Sequence, residues 1–481
     1  MPGIYNSDGR INVTKVNGLT YTGVYAPDGS LNVYDTTGGT SWAGAYHPCG
    51  AINVVLNNTF SPGGKTSPNG ASVVLTSNLL NINGALSVFD VAGTLASKAM
   101  ILIGNEVNGV SLDFTDLSIV VRDPVTPANN FTGSLIGKIT NTAPPSRYVQ
   151  GVDGLYTSGS NLRSSFIAGV NQGIMIEGAS TNQVLFCRNL TNVAWLAVNV
   201  TPSLTATGID GVANTATRLT ATANLGTILQ TIVSASATRI TSAFVKRITG
   251  TGTLELTQDG VTFTTVATTS AYTRVSVPSA TVLNPMVGFR LGTSGDVFDV
   301  DFIQEEQLSW VSSPILTTAV AVTRASDDLS LPTSLFNVAS EHTLYTQGAI
   351  VGAINGTANN PFMALGSSGT DQSYLNNASS TTTANFTVTS GNVTQASLSS
   401  AAALSLNTFF KLGGRVRTND FKQATNAILS AVDSTGVLPA STTNLTFGKL
   451  TSAVVPTTIF IKQNLYVGRG FSDAELQTLT T

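Results

Sequence analysis

Charge is what this 481-residue chain has least of: 10% of its residues are Asp, Glu, Lys or Arg, against about 25% in an ordinary soluble domain. The 23 Lys and Arg are scattered and the net charge is −3. That leaves no basic footprint, so nucleic acid is not an expected partner. Histidine is nearly missing as well. With only His47 and His342, a histidine-based triad or multi-histidine metal site has nothing to draw on. The two cysteines, Cys49 and Cys187, cannot staple so long a chain and are expected to be free thiols. No apolar run approaches the ~18 residues that span a bilayer. The opening MPGIYNSDGRINV lacks the basic and apolar regions of a secretory signal, so neither membrane insertion nor classical export is expected. CxxC, HExxH, GxSxG, Walker and EF-hand patterns are missing too.

What replaces charge is 45 Gly in a background rich in Ser, Thr and Asn, residues of strands and turns rather than of helices. Hydrophobic residues still make up 42%, enough to bury real cores. The composition predicts an all-β chain.

Its first part is repetitive. Gly9, Gly29, Gly50 and Gly70 recur about every 20 residues, within GIYNSDGRINV, GVYAPDGSLNV, GAYHPCGAINV and the degenerate SPNGASVV. In each of the first three, a Tyr precedes a tight turn ending in Gly, and Pro27, Pro48 and Pro68 preset φ in the later turns. Ile11 and Val13, Leu31 and Val33, Ile52 and Val54 then alternate with Asn12, Asn32 and Asn53, the period of a half-buried strand. The fourth unit places Ser72 where the apolar residue belongs. Units this small must stack on one another or on sister chains. Two readings stand: an elongated, oligomeric stalk, and a small antiparallel sheet within a globular domain. Cys49 falls in a repeat turn with only His47 nearby, so an activated thiol is weakly supported.

Beyond the repeats, strand-like runs alternate with turn residues almost to the end. Breaks at PVTPANN and at NTAPPSRY, residues 141–148, divide the chain. Four parts are expected: a repeat region over 1–75 for attachment and stalk, a β-rich connecting domain over 76–172, a sandwich or jelly roll over 173–331, and a further β-sandwich over 332–481. The last includes AIVGAI, FFKLGGRV, NLTFGKL and TIFIKQNLYVG. Helix is confined to short pieces, with Ser472 and Glu475 spaced as a capping box at the start of SDAELQTL.

One acidic cluster stands out, GDVFDVDFIQEE, with Asp296, Asp299, Asp301, Glu305 and Glu306. On a strand Asp299 and Asp301 share a face, and Glu305 has the parity to join it. Three readings are open: a solvated strand face with Phe298, Val300 and Phe302 filling the core, a calcium site, or an acid and base pair for glycoside cleavage. Sugar recognition would call on an aromatic platform. The tryptophans are Trp42, in a turn-rich segment, and Trp195 and Trp310, for which a core role is the expectation. No residue is assigned to a ligand, catalytic step, cofactor or metal.

Several motifs resemble those of phage and prophage tail-fibre and minor structural proteins. The stretch GIMIEGASTNQVLFCRNLTNVAW and the later DFIQEEQLSWVSSPILTTAVAVTRASDDLSL match the segments that bracket a carbohydrate-binding-like jelly roll in such proteins, at Ile174–Glu177, Thr181–Asn182, Ala194–Trp195, Ser313–Ile315 and Thr323–Asp327. They depart at Gln183 and at Glu305, where Leu is usual. GGRVRTNDF and LYVGRGFSDAELQTLTT are similar to the last strands and terminal helix of concanavalin-like lectin sandwiches. The Tyr-Pro-Asp-Gly units resemble amino-terminal units of phage structural proteins from alphaproteobacterial hosts. The resemblance implies a non-enzymatic virion protein (fibre, spike or capsid decoration) on the capsid or tail surface. Its partners would be other virion proteins and host-surface polysaccharide, and its state a homotrimer, which also covers sheet edges. A glycan depolymerase tailspike is the alternative, and a bacterial adhesin a third.

Overall fold

The computed structural model describes strand backbones within residues 4–83 and most of residues 108–481, apart from short stretches such as 123–130, 142–147, 352–359, 378–382 and 451–457. Nearly every described element is a strand, and every strand pair with a stated register is antiparallel. The all-β expectation holds. No helix among the described residues is long and apolar enough to cross a membrane.

The repeats form one meander. Ile4–Tyr5, Ile11–Val16, Leu19–Tyr25, Leu31–Asp35, Ala43–Tyr46 and Ile52–Val55 lie side by side in sequence order in a six-stranded sheet. Each repeat supplies the Tyr-containing strand and the Ile/Leu-Asn-Val strand, joined antiparallel, as in Tyr25 opposite Leu31 and Tyr46 opposite Ile52. The fourth unit strays from the pattern: Ser72–Thr76 joins a separate three-stranded sheet with Lys65–Thr66 and Leu79–Asn83. Trp42, His47 and Cys49 lie outside the described residues.

The remaining strands build two sandwiches, one inserted into the other. In the outer sandwich, a ten-stranded sheet places Phe131–Ser134, Ser118–Arg122 and Gly109–Asp113 beside the last strand, Thr458–Val467, followed by His342–Val351, Phe410–Val416, Lys422–Thr425 and Ile428–Leu429. Ser164–Ile167 and Val170–Ile176 join it through the same last strand, with Ile174 opposite Ile461. The facing sheet has seven strands and runs from Thr140–Asn141 and Leu329–Pro332 to Val393–Ala403. Aromatic side chains fill the space between, with Phe362 and Phe410 at 4.7 Å and Phe114 and Phe447 at 5.6 Å between ring centroids.

This topology corrects the expected domain list. The separate connecting domain over 76–172 does not stand alone among the described residues: apart from the hairpin Tyr148–Gln150 and Tyr156–Ser158, its strands from 109 to 176 hydrogen-bond into two sheets shared with strands after 329. Alternation in a sequence reveals a strand but not its partner, and nothing limits how distant in the chain an antiparallel partner lies. Gly173 fits the join. It has φ +75°, and a Cβ there would meet the Ile461 carbonyl oxygen at 2.1 Å.

The inserted body is the expected jelly roll. A five-stranded sheet (Leu196–Val198, Gly226–Thr231, Met286–Leu291, Leu254–Thr257, Thr264–Val266) faces a six-stranded one (Val200–Ala206, Ala216–Ala221, Val297–Glu306, Ala237–Thr249, Thr273–Ser276, Ala280–Val282). Leu219, Ile228, Val245, Leu254, Phe289, Phe298 and Val300 form its buried core.

Candidate functional site

The acidic strand Val297–Glu306 lies in the interior of the six-stranded sheet, between Ala216–Ala221 and Ala237–Thr249. Phe298 and Val300 point into the core, as alternation predicts. The carboxylates do not form a solvated face. Asp296, Asp299, Asp301, Glu305 and Glu306 are all buried, and burying an ionised carboxylate demands a partner.

The partners are arginines from distant segments. Arg188 forks onto Asp301, with Nε to Oδ1 at 2.7 Å and Nη2 to Oδ2 at 3.0 Å, and onto Asp210, with Nη1 to Oδ2 at 2.7 Å. Asp301 also accepts the backbone N–H groups of Ile209 and Phe302. Burial still raises its pKa, with Arg188 acting against that rise. Asp299 accepts Arg218 Nε at 2.7 Å and lies 3.2 Å from Lys246 Nζ. Glu305 meets Arg239 Nη1 at 2.8 Å, and both side chains are fully buried. Burial raises the Glu305 pKa, and Arg239 restrains it. Asp296 accepts the N–H groups of Gly252 and Thr293 and lies 3.9 Å from Arg247.

The expected parity also fails at Glu305. The register slips by one residue between Phe244 opposite Asp301 and Ser242 opposite Gln304, and Phe302 takes φ +42°. This β-bulge turns Glu305 off the face that Asp299 and Asp301 share. No three His, Cys, Asp or Glu side chains among the described residues are grouped to hold a metal ion, and guanidinium groups occupy the positions beside the carboxylates.

The bracketing motifs build the neck between the bodies. The chain leaves one outer sheet at Ile176 and returns to the other at Leu329. Between these points Ser180–Asn182 pairs with Val322–Arg324. Glu177 and Asp327 exchange backbone contacts, the Glu177 N–H donating to Asp327 Oδ2 and the Asp327 N–H to the Glu177 carbonyl, each at 2.9 Å. Arg324 approaches Glu177 at 3.3 Å. Glu306 accepts Ser180 Oγ and Ser312 Oγ, each at 2.5 Å, while Asn182 bridges the carbonyls of Ile303 and Ile315. The motif residues are therefore a buried polar clasp. Trp195 and Trp310 are buried, in keeping with a core role.

A third contact comes from the hairpin Tyr148–Gln150 and Tyr156–Ser158, which reaches from the outer sandwich onto the jelly roll. The Tyr156 ring meets Phe244 edge-on at 4.9 Å, and Tyr148 meets Phe302 at 4.8 Å. Arg188 and Arg274 lie over the same two phenylalanines, at 4.6 and 5.2 Å. This packed aromatic and guanidinium contact was not legible in the sequence: it joins Tyr148 and Tyr156, upstream of the jelly roll, to the buried Phe302 and Phe244, and no spacing marks them.

Cys187 and His342 are both buried. Cys187 is a free, buried thiol pushed up to about 11 by burial. His342 lies between the outer sheets, Nε2 at 2.7 Å from Ser373 Oγ and Nδ1 at 3.1 Å from the Ser340 carbonyl.

No protein-family model matches the chain, and no curated protein matches it. Solved structures with similar architecture include the CBM40 of the Ruminococcus gnavus IT-sialidase bound to α2,3-sialyllactose, at 16% identity and TM-score 0.26, covering 30% of this chain and 84% of that one. Domain 4 of AbnA, a GH43 extracellular arabinanase from Geobacillus stearothermophilus, in complex with arabinotriose, matches at 10% identity and TM-score 0.27, over 32% and 73%. The tandem CBM22 domains of Paenibacillus barcinonensis Xyn10C match at 10% identity and TM-score 0.22, over 60% and 98%. Matches at these scores assign no ligand.

Proposed function

We propose that this chain is a non-enzymatic structural protein of a bacteriophage particle, a fibre, spike or capsid decoration, working as a homotrimer. Its amino-terminal repeats attach it to other virion proteins, and its two sandwiches contact host-surface glycans. The observation that supports binding over cleavage is the pairing of the acidic strand. A glycosidase presents two carboxyl groups to the scissile bond, whereas Asp299, Asp301 and Glu305 are buried and each is paired with a guanidinium.

Adhesion of the full-length protein to host cells, together with release of new reducing ends from their extracted polysaccharide, tests this reading. Adhesion without new reducing ends is expected. New reducing ends would establish the depolymerase instead, and failure to adhere would sink the glycan-binding role. Sedimentation at micromolar concentration should show a trimer; a stable monomer would refute that part.

A further inference from the structure

Four segments of the jelly-roll region, residues 189–209, 219–238, 275–289 and 307–323, hold no Asp, Glu, Lys or Arg. The fold brings parts of all four to the end of the domain beside the neck. Leu196 lies opposite Leu229, and the next residue, Gln230, grips the backbone of Leu185 at its N–H and its carbonyl, at 2.7 and 2.9 Å. Ile232 N–H donates to the Pro285 carbonyl at 2.8 Å. Ser234 and Asn284 exchange two bonds, the Asn284 N–H to the Ser234 carbonyl at 3.1 Å and the Ser234 N–H to Asn284 Oδ1 at 3.0 Å. Phe186 N–H donates to the Thr318 carbonyl. Beneath them Arg239 joins the same pieces, donating to Gln183 Oε1, Ser234 Oγ and the carbonyls of Ala235 and Val282. Its charge is internal, held against Glu305.

On this braced frame aliphatic side chains stand in the open. Val193 is 99% exposed, Val233 90%, Val261 82%, Leu196 69%, Val320 64% and Leu283 62%. Val261 reaches the same end because Asp259, two residues before it, bridges to Met286. The Asp259 carboxylate is turned back onto the N–H groups of Val261 and Thr262. A lone exposed valine is ordinary, but a group of exposed aliphatics on one end of a domain marks a contact surface. The bracing bonds hold these loops in place, so a partner need not order them on binding.

We propose that this end of the jelly roll is where copies of the chain meet, with Val233 and Leu283 near a three-fold axis. An axis sets each side chain beside its own images, so a charge there would face a like charge. An uncharged aliphatic surface meets nothing it repels. A polysaccharide or an anionic bilayer would call on hydrogen-bonding or basic side chains, and these six offer neither. The inference rests on the homotrimer of the reading above and gives it a contact surface.

The test is cross-linking of the full-length protein carrying Val233→Cys with a short bismaleimide. Leu225→Cys is the control: Leu225 is also exposed, but strand Gly226–Thr231 separates it from Val233 by roughly 26 Å. The wild type, with Cys49 and Cys187, sets the background. Val233→Cys should give covalent dimer from up to two of the three chains of each trimer, and Leu225→Cys little above background. Adding Leu283→Asp should cut the Val233 link by about tenfold or more, since it sets like charges around the axis and removes a buried aliphatic contact. Val233 linking no better than Leu225, or linking undiminished by Leu283→Asp, would overturn the proposal. So would flotation of the wild type with phosphatidylcholine vesicles that Val233→Asp abolishes, because the occupant would then be a bilayer. Sedimentation separates the two readings. A wild-type trimer without a Val233 link overturns this surface alone, a dimer linked at Val233 keeps the surface and overturns the trimer, and a monomer overturns both.

Discussion

Arg239 and Glu305 show how buried charge is tolerated in the jelly roll, and what removing one partner should do. Both are fully buried at 2.8 Å, and Arg239 donates further to Gln183, Ser234 and the Val282 carbonyl. Arg239→Met strands the Glu305 carboxylate and should cost about 3–5 kcal/mol; adding Glu305→Leu should recover much of that loss, as urea titration of both variants can establish. His342 makes a different prediction. Burial lowers its pKa from 6.5 to about 4. The folded protein therefore holds the ring neutral while the unfolded chain takes up a proton below about 6.5. Its contribution is fully present above pH 6.5 and declines as pH falls toward 4, by roughly 3 kcal/mol in all. The urea midpoint should fall less between pH 7 and 4.5 in His342→Gln than in the wild type. At this scale the sequence was only partly legible. Phe298 and Val300 declared themselves as core by alternation, but nothing near Asp301 announced that Arg188 would neutralise it. Glu305 was misjudged because a bulge at Phe302 leaves no compositional mark.

Elements were more readable than their partners. AIVGAI, FFKLGGRV, NLTFGKL and TIFIKQNLYVG each overlap an observed strand, at His342–Val351, Phe410–Val416, Asn444–Phe447 and Thr458–Val467, and the capping box forms as expected. Glu475 N–H donates to Ser472 Oγ at 3.3 Å, and Ser472 N–H to Glu475 Oε2 at 2.8 Å, at the head of helix Asp473–Thr480. Short-range chemistry fixes such features, so short-range sequence displays them. Pairing across hundreds of residues has no comparable signal. Gly173 is where the two meet, since its conformation is local and its constraint is the distant Ile461 carbonyl. An ordinary mid-strand Gly→Ala exchange stabilises by about 0.5–1 kcal/mol, whereas Gly173→Ala should destabilise by more than ~1 kcal/mol. Hydrogen exchange should place the loss along Val170–Ile176 and Thr458–Val467.

At the scale of the whole molecule, Thr458–Val467 holds strands that precede and follow the jelly roll in sequence, pairing with His342–Val351 and with Val170–Ile176 and lying next to Gly109–Asp113. A chain ending before Thr458 should lose protease protection over 109–122 while keeping the jelly roll resistant, and a digest followed by mass spectrometry would reveal it. A sequence read left to right suggests consecutive beads, which is why the nesting was invisible. That nesting sets a timetable for synthesis on the ribosome. The jelly roll can close as soon as Arg324 has emerged, whereas Gly109–Asp113 and Val170–Ile176 must wait, edges open, until the final strand is made. By drawing Ser180 and Arg324 together, the early-folding insert also shortens the loop that the outer sandwich must later close, lowering its entropic cost.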